Sequence, residues 1–321
     1  MAPVPASELA KGPVFYMPHH PVLRETSSTS PLRVVFNASC NTNSGTFLNN
    51  QLLVGPKLQE DLSSIPLRWR THRLVFIADI VKILLIVTYG TASAPYLAMR
   101  VLKQLCSDEG AKFPLAIPVL ESSTYVDDVL FGADKVTDIK KIRNQLNTLL
   151  NLEGFHLRKW ASNYDELLNE IPISDRLDLT TVSFQEDASI KALGLSWNPS
   201  RDSFSFNFQL RNPMEVTKRS VLVISRIFDP LELIAPVVIF AKIFLQQLWI
   251  RKLEWDSPFP DDLKGWWNEY YYSLKHLPNI SIPRWTNQSP KDLSIELHGF
   301  SDASSQAYAA VVYLRVLNSM D

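Results

Sequence analysis

The chain has 321 residues, enough for two or three domains with substantial hydrophobic cores. Apolar residues make up 46% of it and charged residues 20%, which excludes an extensively disordered protein. The net charge of −1 gives no sign of a nucleic-acid binder, although totals hide local patches, and two cysteines exclude a disulfide framework.

The first 66 residues are rich in turn-forming residues and predict one short strand, Arg33–Ser39. Between Lys11 and Arg73, seven Lys or Arg residues stand against three acids, a local balance of +4. This stretch ends in the aromatic and basic run Leu67–Arg73. A solvated basic face and a phosphate-facing surface are both compatible with the pattern.

Strands and helices then alternate. The β-branched run Arg73–Ile80 predicts a strand that carries one acid, Asp79. A helix is predicted next, with Pro95 at its start and Leu97, Val101, Leu102 and Leu105 on one apolar face. A strand pair flanks Asp127 and Asp128. The following helix is predicted to begin at an N-cap, Thr137, and to end at Gly154.

The second half of the chain predicts short strands within residues 155–210, helices within 217–277 and a terminal β-hairpin. The apolar segment Leu233–Ile250 contains Pro236, Lys242 and two glutamines, so a buried helix is favoured over a membrane span. The first residues lack the pattern of a signal peptide. An intracellular protein, cytoplasmic or nuclear, with no membrane association is therefore expected.

The adjacent pair Asp127–Asp128 lies within an apolar run of strand type, where alternation would turn one carboxylate towards a buried face. A surface hairpin turn is the simpler interpretation, and Asp261–Asp262 shows that such pairs occur elsewhere. Asp79, on another buried strand, could converge with the pair. Three carboxylates at one point would repel one another unless cations neutralised them, and Mg²⁺ is suited to that role.

Several stretches of the chain, in order, resemble the Pol polyprotein of BEL/Pao-type LTR retrotransposons, and YVDD resembles the signature of reverse transcriptases. They span nearly the whole chain. The stretches are YMPHHPVLRETSSTSPLRVVFNAS, LNNQLLVGP, VFIADI, VTYGTASAPYLA, YVDDVL, LRKWASN, LGLSWNP, TKRSVLVISRIFDPLELIAPVVIFAKIFLQQLW and LHGFSDASSQAYAAVVYLR.

The resemblance implies an α+β fold: a right-hand polymerase palm, which is an antiparallel sheet backed by helices, with fingers, a helical thumb and an RNase H-like β-hairpin stub. The implied boundaries are a fingers-like segment at 1–72, the palm at 73–190, primer-grip strands with the helical thumb and connection at 191–285, and a truncated RNase H start at 286–321. In this family the region after about Lys191 is sometimes labelled a Pao-type peptidase. The sequence contains no Asp-Thr-Gly or Asp-Ser-Gly motif, so nothing in it supports proteolysis.

The resemblance also implies roles for individual residues in two-Mg²⁺ nucleotidyl transfer from dNTPs to a DNA primer on an RNA template. Asp79 and Asp127 would bridge the metal ions, with Asp128 as an auxiliary ligand. Asp302 would be the first carboxylate of RNase H, whose other three are absent, so RNA cleavage is not expected. Nucleotide binding would involve Arg33, Tyr89, Gly90 and Pro95, and primer or template contacts would involve Lys159, Leu193, Gly194 and Trp197.

The match to the family breaks between Asp79 and Gly90, which are only eleven positions apart. The family has a helix and more strand there, elements that need upwards of ~20 residues. A deletion near residues 82–87, either genomic or introduced by a wrongly drawn gene structure, is therefore predicted. Glu232 also replaces a family glycine, which would strain the turn if that glycine had a positive φ.

Three functions follow. The first is that of a reverse transcriptase (an RNA-directed DNA polymerase) whose activity is impaired by the deletion. The second is that of a non-catalytic remnant that binds nucleic acid. The third interpretation is the product of a pseudogene or wrongly drawn gene, without a stable fold. The sequence leaves the oligomeric state open.

Overall fold

The structure, a computed structural model, describes residues 15–23, 32–81, 90–177, 189–206, 217–218, 221 and 227–317. These residues form a mixed arrangement of helices and antiparallel sheets, as the sequence predicted. The predicted deletion near residues 82–87 lies outside the described residues, as does the side chain of Arg33.

The elements follow one another along the chain in this order. They are β1 His19–Leu23, β2 Leu32–Phe36, α1 Ser64–Arg70, β3 Leu74–Val81, α2 Ala94–Glu109, α3 Ile117–Ser122, β4 Thr124–Tyr125, β5 Asp128–Ala133, α4 Val136–Leu152, β6 His156–Ser162, β7 Ile190–Ala192, β8 Leu195–Asn198, β9 Ser203–Ser205, α5 Ala235–Ile250, α6 Asp261–Ser273, β10 Ser281–Pro283, β11 Ser294–Ala303 and β12 Tyr308–Leu317.

The central sheet has the antiparallel order β4-β5-β3-β6, and β3 is covered on both faces. Such coverage explains why β3 has an almost uninterrupted apolar sequence in place of alternation. Phe76, Ala78 and Ile80 face a core shared with α2, α3 and α4. Val75 and Ile77 face a second core. The predicted strand around Asp79 is therefore the centre of the sheet.

The second core joins the central sheet to α1 and to a smaller sheet of order β10-β9-β8-β7. Trp69 of α1 meets Trp197 of β8 edge to face, with ring centroids 4.7 Å apart. Both indoles are fully buried, and each contributes up to about 3 kcal/mol of hydrophobic stabilisation. The smaller sheet is thus held against the same sheet face that carries the odd-numbered residues of β3.

Two details of the predicted helices are wrong. In α2, Leu97 and Val101 are 40% and 41% exposed, and the buried face instead carries Ala94, Ala98, Met99, Leu102, Leu105 and Cys106. The small alanines let α2 approach the sheet closely, and the sequence has apolar residues on both sides of the helix. Helix α4 begins before Thr137, with Lys135 as its N-cap, so the Thr137 hydroxyl lies inside the first turn, 3.3 Å from the Asp138 carboxylate.

The helices α5 and α6 pack against each other through a third, largely aromatic core. Trp267 is fully buried, and Phe240 stacks on Tyr270 with ring centroids 4.7 Å apart, so aromatic side chains fill the interface between the two helices. Pro236 lies in the first turn of α5, as predicted. None of the helices within the described ranges has the length and apolar character needed to cross a membrane.

The chain returns from α6 to the smaller sheet through β10, which pairs with β9. Strands β11 and β12 then form the predicted terminal hairpin, ten residues each in continuous register. Leu297, Tyr308 and Val312 on this hairpin are more than 60% exposed. It is therefore a two-stranded sheet paired only with itself over the described residues.

Candidate active site

Asp79, Asp127 and Asp128, here called the carboxylate cluster, come together at one end of the central sheet. Asp79 of β3 and Asp128 of β5 are direct register partners, which places their Cβ atoms about 5 Å apart on the same sheet face. Asp127 lies in the adjacent turn, where its carbonyl oxygen accepts a hydrogen bond of 2.7 Å from the Ile80 amide. The structure thus places Asp79 beside Asp128, with Asp127 next to them in the turn.

The turn that carries Asp127 is a two-residue loop, Val126–Asp127, between the paired residues Tyr125 and Asp128. Val126 has a φ of 56°, in the left-handed region that a β-branched residue rarely adopts. Such a conformation costs about 1–3 kcal/mol and is found mostly at functional sites. The surrounding sheet therefore holds the tip of this hairpin in a strained conformation.

The carboxylates act on one another electrostatically. Burial, followed by the negative charges of Asp127 and Asp79, raises the pKa of Asp128 to about 6, whereas the Lys159 ammonium lowers it. The charged form of Asp128 is thus disfavoured in the folded chain. A cation placed among the three groups would relieve this repulsion.

Lys159 of the edge strand β6 forms an ion pair with the Asp79 carboxylate. The pairing of β3 with β6 shifts register between Ile77 and Asp79, so that β6 contains one extra residue there. Lys159 lies within this bulge and has a φ of 54°. Arg158, the register partner of Asp79, pairs instead with Asp175 at 3.3 Å.

The donor chemistry of the carboxylate cluster fits a hard divalent cation such as Mg²⁺, because all its side-chain donors are carboxylate oxygens. Their arrangement is not a closed cage: among the described residues, no three His, Cys, Asp or Glu side chains are positioned to hold a metal ion. Asp79, Asp127 and Asp128 are the residues that would hold it. Cation binding would require local rearrangement of their side chains.

Two of the predicted nucleotide-binding residues are in described parts of the chain. Pro95 lies in the first turn of α2, and Gly90 has a φ of 90° with the Phe36 carbonyl oxygen only 2.4 Å from where a Cβ would be. Tyr89 lies outside the described residues, and Arg33 is on β2 with its side chain outside them. Neither side chain can therefore be placed relative to the carboxylate cluster.

The sequence reasoning missed Asn49. Its side-chain nitrogen donates to the Gly90 carbonyl at 3.0 Å, and its oxygen accepts from the Ala92 amide at 2.8 Å. Asn49 thereby fixes the loop that enters α2 to the N-terminal segment. Its position in LNNQLLVGP, one of the stretches that carry the family resemblance, was the signal that could have identified it.

Leu193 and Gly194 form the tip of the β7–β8 hairpin, with φ values of 49° and 87°. Two consecutive positive φ values are typical of a tight hairpin turn. The Phe228 ring lies against Gly194, 2.3 Å from where a Cβ would be, and leaves no room for a side chain. Leu193 is buried in the second core, which also contains Ile77 and so lies on the face of β3 that carries Asp79.

Trp197 does not offer a surface to a primer or template. It is fully buried, and its indole nitrogen donates to the Asp202 carboxylate at 3.0 Å. The predicted direct contact is therefore corrected: Trp197 packs beneath the hairpin. The burial arises because Trp69 and Phe204 enclose its ring.

Asp302 lies on the exposed hairpin, opposite Ala309 on β12, and its carboxylate accepts a hydrogen bond of 2.8 Å from the Ala303 amide.

The basic run Leu67–Arg73 makes contacts within the fold. The Arg68 guanidinium donates to the Ser122 carbonyl, and Arg70 donates to the Arg284 carbonyl at 3.0 Å. Two arginines of this run therefore donate hydrogen bonds to backbone carbonyl groups of the protein itself.

Comparison with known proteins defines the class. The structure is similar to a foamy viral protease–reverse transcriptase solved in complex with double-stranded DNA, with a TM-score of 0.53 and 15% identity. The match covers 95% of this chain and 50% of that chain, so this chain spans half the length of the protein it matches. At this identity the likeness shows the fold alone: a mixed arrangement of helices and antiparallel sheets similar to that of the viral protein.

A family model narrows the class. Residues 217–321 match the Pao retrotransposon-like RNaseH-like domain, a range that includes α5, α6 and the terminal hairpin. No curated protein matches. Together with the structural match, this finding supports the resemblance seen in the sequence, that of a fragment of a BEL/Pao-type retrotransposon Pol polyprotein.

Proposed function

We propose that this chain is the polymerase region of a retrotransposon reverse transcriptase, an RNA-directed DNA polymerase whose activity is impaired. The observation that carries the proposal is the register pairing of Asp79 with Asp128, which brings carboxylates from distant parts of the sequence to one point. The central sheet and its helices act as the palm. Residues 1–72 act as fingers, 191–285 as primer grip and thumb, and 286–321 as the start of RNase H.

In this proposal, Asp79 and Asp127 hold the metal ions and Asp128 adds negative charge beside them. Two Mg²⁺ ions, when bound, supply activation of the primer hydroxyl and stabilisation of the leaving pyrophosphate. Gly90 keeps the loop before α2 close to the N-terminal segment, where dNTPs would bind. The Leu193–Gly194 turn supports the primer end, because Leu193 belongs to the second core, which covers the face of the central sheet that carries Asp79.

The impairment is proposed from the spacing between Asp79 and Gly90. These residues are eleven positions apart, too few for the helix and strand that separate the corresponding motifs in the family. The carboxylate cluster is thus retained while part of the surrounding nucleotide site is shortened. We expect cation and nucleic-acid binding to survive better than polymerisation.

A primer-extension assay on a homopolymeric RNA template, with Mg²⁺ and dNTPs, tests the impairment. The wild-type chain is expected to extend the primer no more than Asp127→Asn, because both lack a complete nucleotide site. Extension by wild type above the variant would contradict the impairment and show a working polymerase.

A non-catalytic nucleic-acid-binding function is the second candidate, and the foamy viral structure with bound double-stranded DNA favours it. Binding of an RNA–DNA duplex to this chain should weaken steeply as salt rises, since Lys and Arg contacts to phosphates release counterions. Affinity independent of salt would count against a phosphate grip. Absence of both binding and cooperative unfolding would favour the third interpretation, a product without a stable fold.

A further inference from the structure

Lys159 is placed by the backbone of β6 at a position where it can act on the carboxylate cluster. The extra residue of the bulge lies between the pairs Ile77–Ala161 and Asp79–Arg158. The backbone of Lys159 is strained, because its φ of 54° lies in the left-handed region that ordinary residues rarely adopt. The bulge brings a cation to Asp79, whereas the neighbouring Arg158 is held by Asp175.

The contact made by Lys159 uses an oxygen that a metal ion would need. The ammonium bonds Oδ2 of Asp79, a residue at the centre of the cluster whose side chain is only 18% exposed. A divalent cation on that carboxylate would stand close to the ammonium, and two positive charges at such a distance repel strongly. The ion pair and a cation at Oδ2 of Asp79 therefore compete for the same oxygen.

The Lys159 side chain can also withdraw from the Asp79 carboxylate. Its side chain is 63% exposed and carries its charge on a flexible four-carbon stem, so withdrawal into water costs little desolvation. The cluster thus has a partner that neutralises part of its charge when no metal is present. It can surrender that partner without unfolding the sheet.

We propose that Lys159 is an internal counter-ion of the carboxylate cluster, which a divalent cation must displace from Asp79 in order to bind. Lys159 thereby weakens cation binding and restricts occupancy to conditions in which the cation competes successfully. This inference rests on the proposed function, because it takes the cluster to be a divalent-cation site.

Titration of the purified full-length chain with Mn²⁺ alone, with free Mn²⁺ measured by electron paramagnetic resonance, tests the inference without any activity assay. Lys159→Met is expected to bind Mn²⁺ about tenfold more tightly than wild type, since the competing charge is gone. Arg158→Met is the matched control, because it removes a cation from the adjacent residue. Its Mn²⁺ affinity is expected to stay within about twofold of wild type.

A second variant protects the test against misfolding of the first. Lys159→Arg keeps the charge beside Asp79 and is expected to bind Mn²⁺ within about threefold of wild type. Equal affinities for wild type and Lys159→Met overturn the inference while the proposed cation site stands. Equal tightening by Arg158→Met also overturns it, because the effect would then be a general one of charge. If neither wild type nor Lys159→Met binds Mn²⁺, the inference and the cation site of the proposed function both fail.

Discussion

At the scale of single residues, Asp128 couples the carboxylate cluster to stability. Its pKa is raised to about 6 by burial and by Asp127 and Asp79, so the folded chain holds this proton more tightly than the unfolded chain does. The contribution of Asp128 to stability should therefore be most favourable below its unfolded pKa near 4. It should fall as pH rises from about 4 to about 6 and then level off.

Asp128→Asn should remove this pH-dependent penalty. We expect the variant to be more stable than wild type by up to about 2 kcal/mol at pH 7.5, with the difference vanishing near pH 4. Urea unfolding at both pH values measures it. Asp302→Asn, on the exposed hairpin, is the control and should show no such difference. A constant difference at both pH values for Asp128→Asn would contradict the electrostatic cause.

At the scale of an element, the turn before α5 shows a strain that the sequence anticipated. Glu232 has a φ of 55°, in the left-handed region that favours glycine. Strain is expected at this position if the family glycine has a positive φ. The backbone here has that conformation, so a side chain occupies a position suited to glycine.

Glu232→Gly is accordingly expected to raise the free energy of unfolding by about 1 kcal/mol, because glycine adopts a positive φ without a steric penalty. Chemical denaturation of the full chain measures it. Glu232→Ala removes the charge and keeps the Cβ, so it should leave stability nearly unchanged. Equal stabilisation by both substitutions would assign the effect to charge and not to the backbone.

In the same turn, the Asp229 side chain binds backbone amides just before α5. Both carboxylate oxygens of Asp229 accept amide hydrogen bonds, from Leu233 at 3.0 Å and from Ile234 at 2.7 Å. These amides precede the helix, whose first residue is Ala235. Asp229→Ala should therefore destabilise the chain by about 1–2 kcal/mol in thermal or chemical unfolding. Asp229→Asn retains one acceptor and should lose less; an equal loss would contradict a stabilising role for the two amide hydrogen bonds.

At the scale of the whole molecule, Arg284 joins three parts of the fold. Its guanidinium is fully buried and forms a two-pronged pair with Asp202, at 2.6 and 2.8 Å. It also donates to the carbonyl groups of Trp69, in the last turn of α1, and of His72 and Arg73, between α1 and β3. The region that follows the helical pair is thereby fixed to the central sheet.

Arg284→Met should cost about 3–5 kcal/mol, because it leaves Asp202 without its buried partner and three carbonyl groups without a donor. Arg284→Lys keeps the charge but not the planar fork, and should recover only part of the loss. Equilibrium unfolding measures both. Arg100→Met, on the exposed face of α2, should change stability by less than about 0.5 kcal/mol. A loss at Arg284 no larger than at Arg100 would contradict the joining role.

The local elements that have a clear period or a fixed turn could be predicted from the order of residues alone. The uninterrupted apolar run of β3, the helical spacing in α4 and the proline at the start of α5 each act within a few residues of chain. The residue pattern also supplied the three acids, and the ordered family resemblance joined them into one site. Local sequence is sufficient here because backbone preference and burial of a repeating face agree.

The way in which those elements meet could be learned only from the folded chain. The bulge that brings Lys159 to Asp79, the burial of Trp197 under Trp69 and the enclosure of Arg284 all depend on residues distant in the sequence. The buried face of α2 was likewise chosen by the sheet on which it packs. Strand register and the buried face of a helix are set by tertiary contacts with residues distant in the sequence. When a helix has apolar residues on both sides, its sequence pattern does not determine which side packs against the sheet.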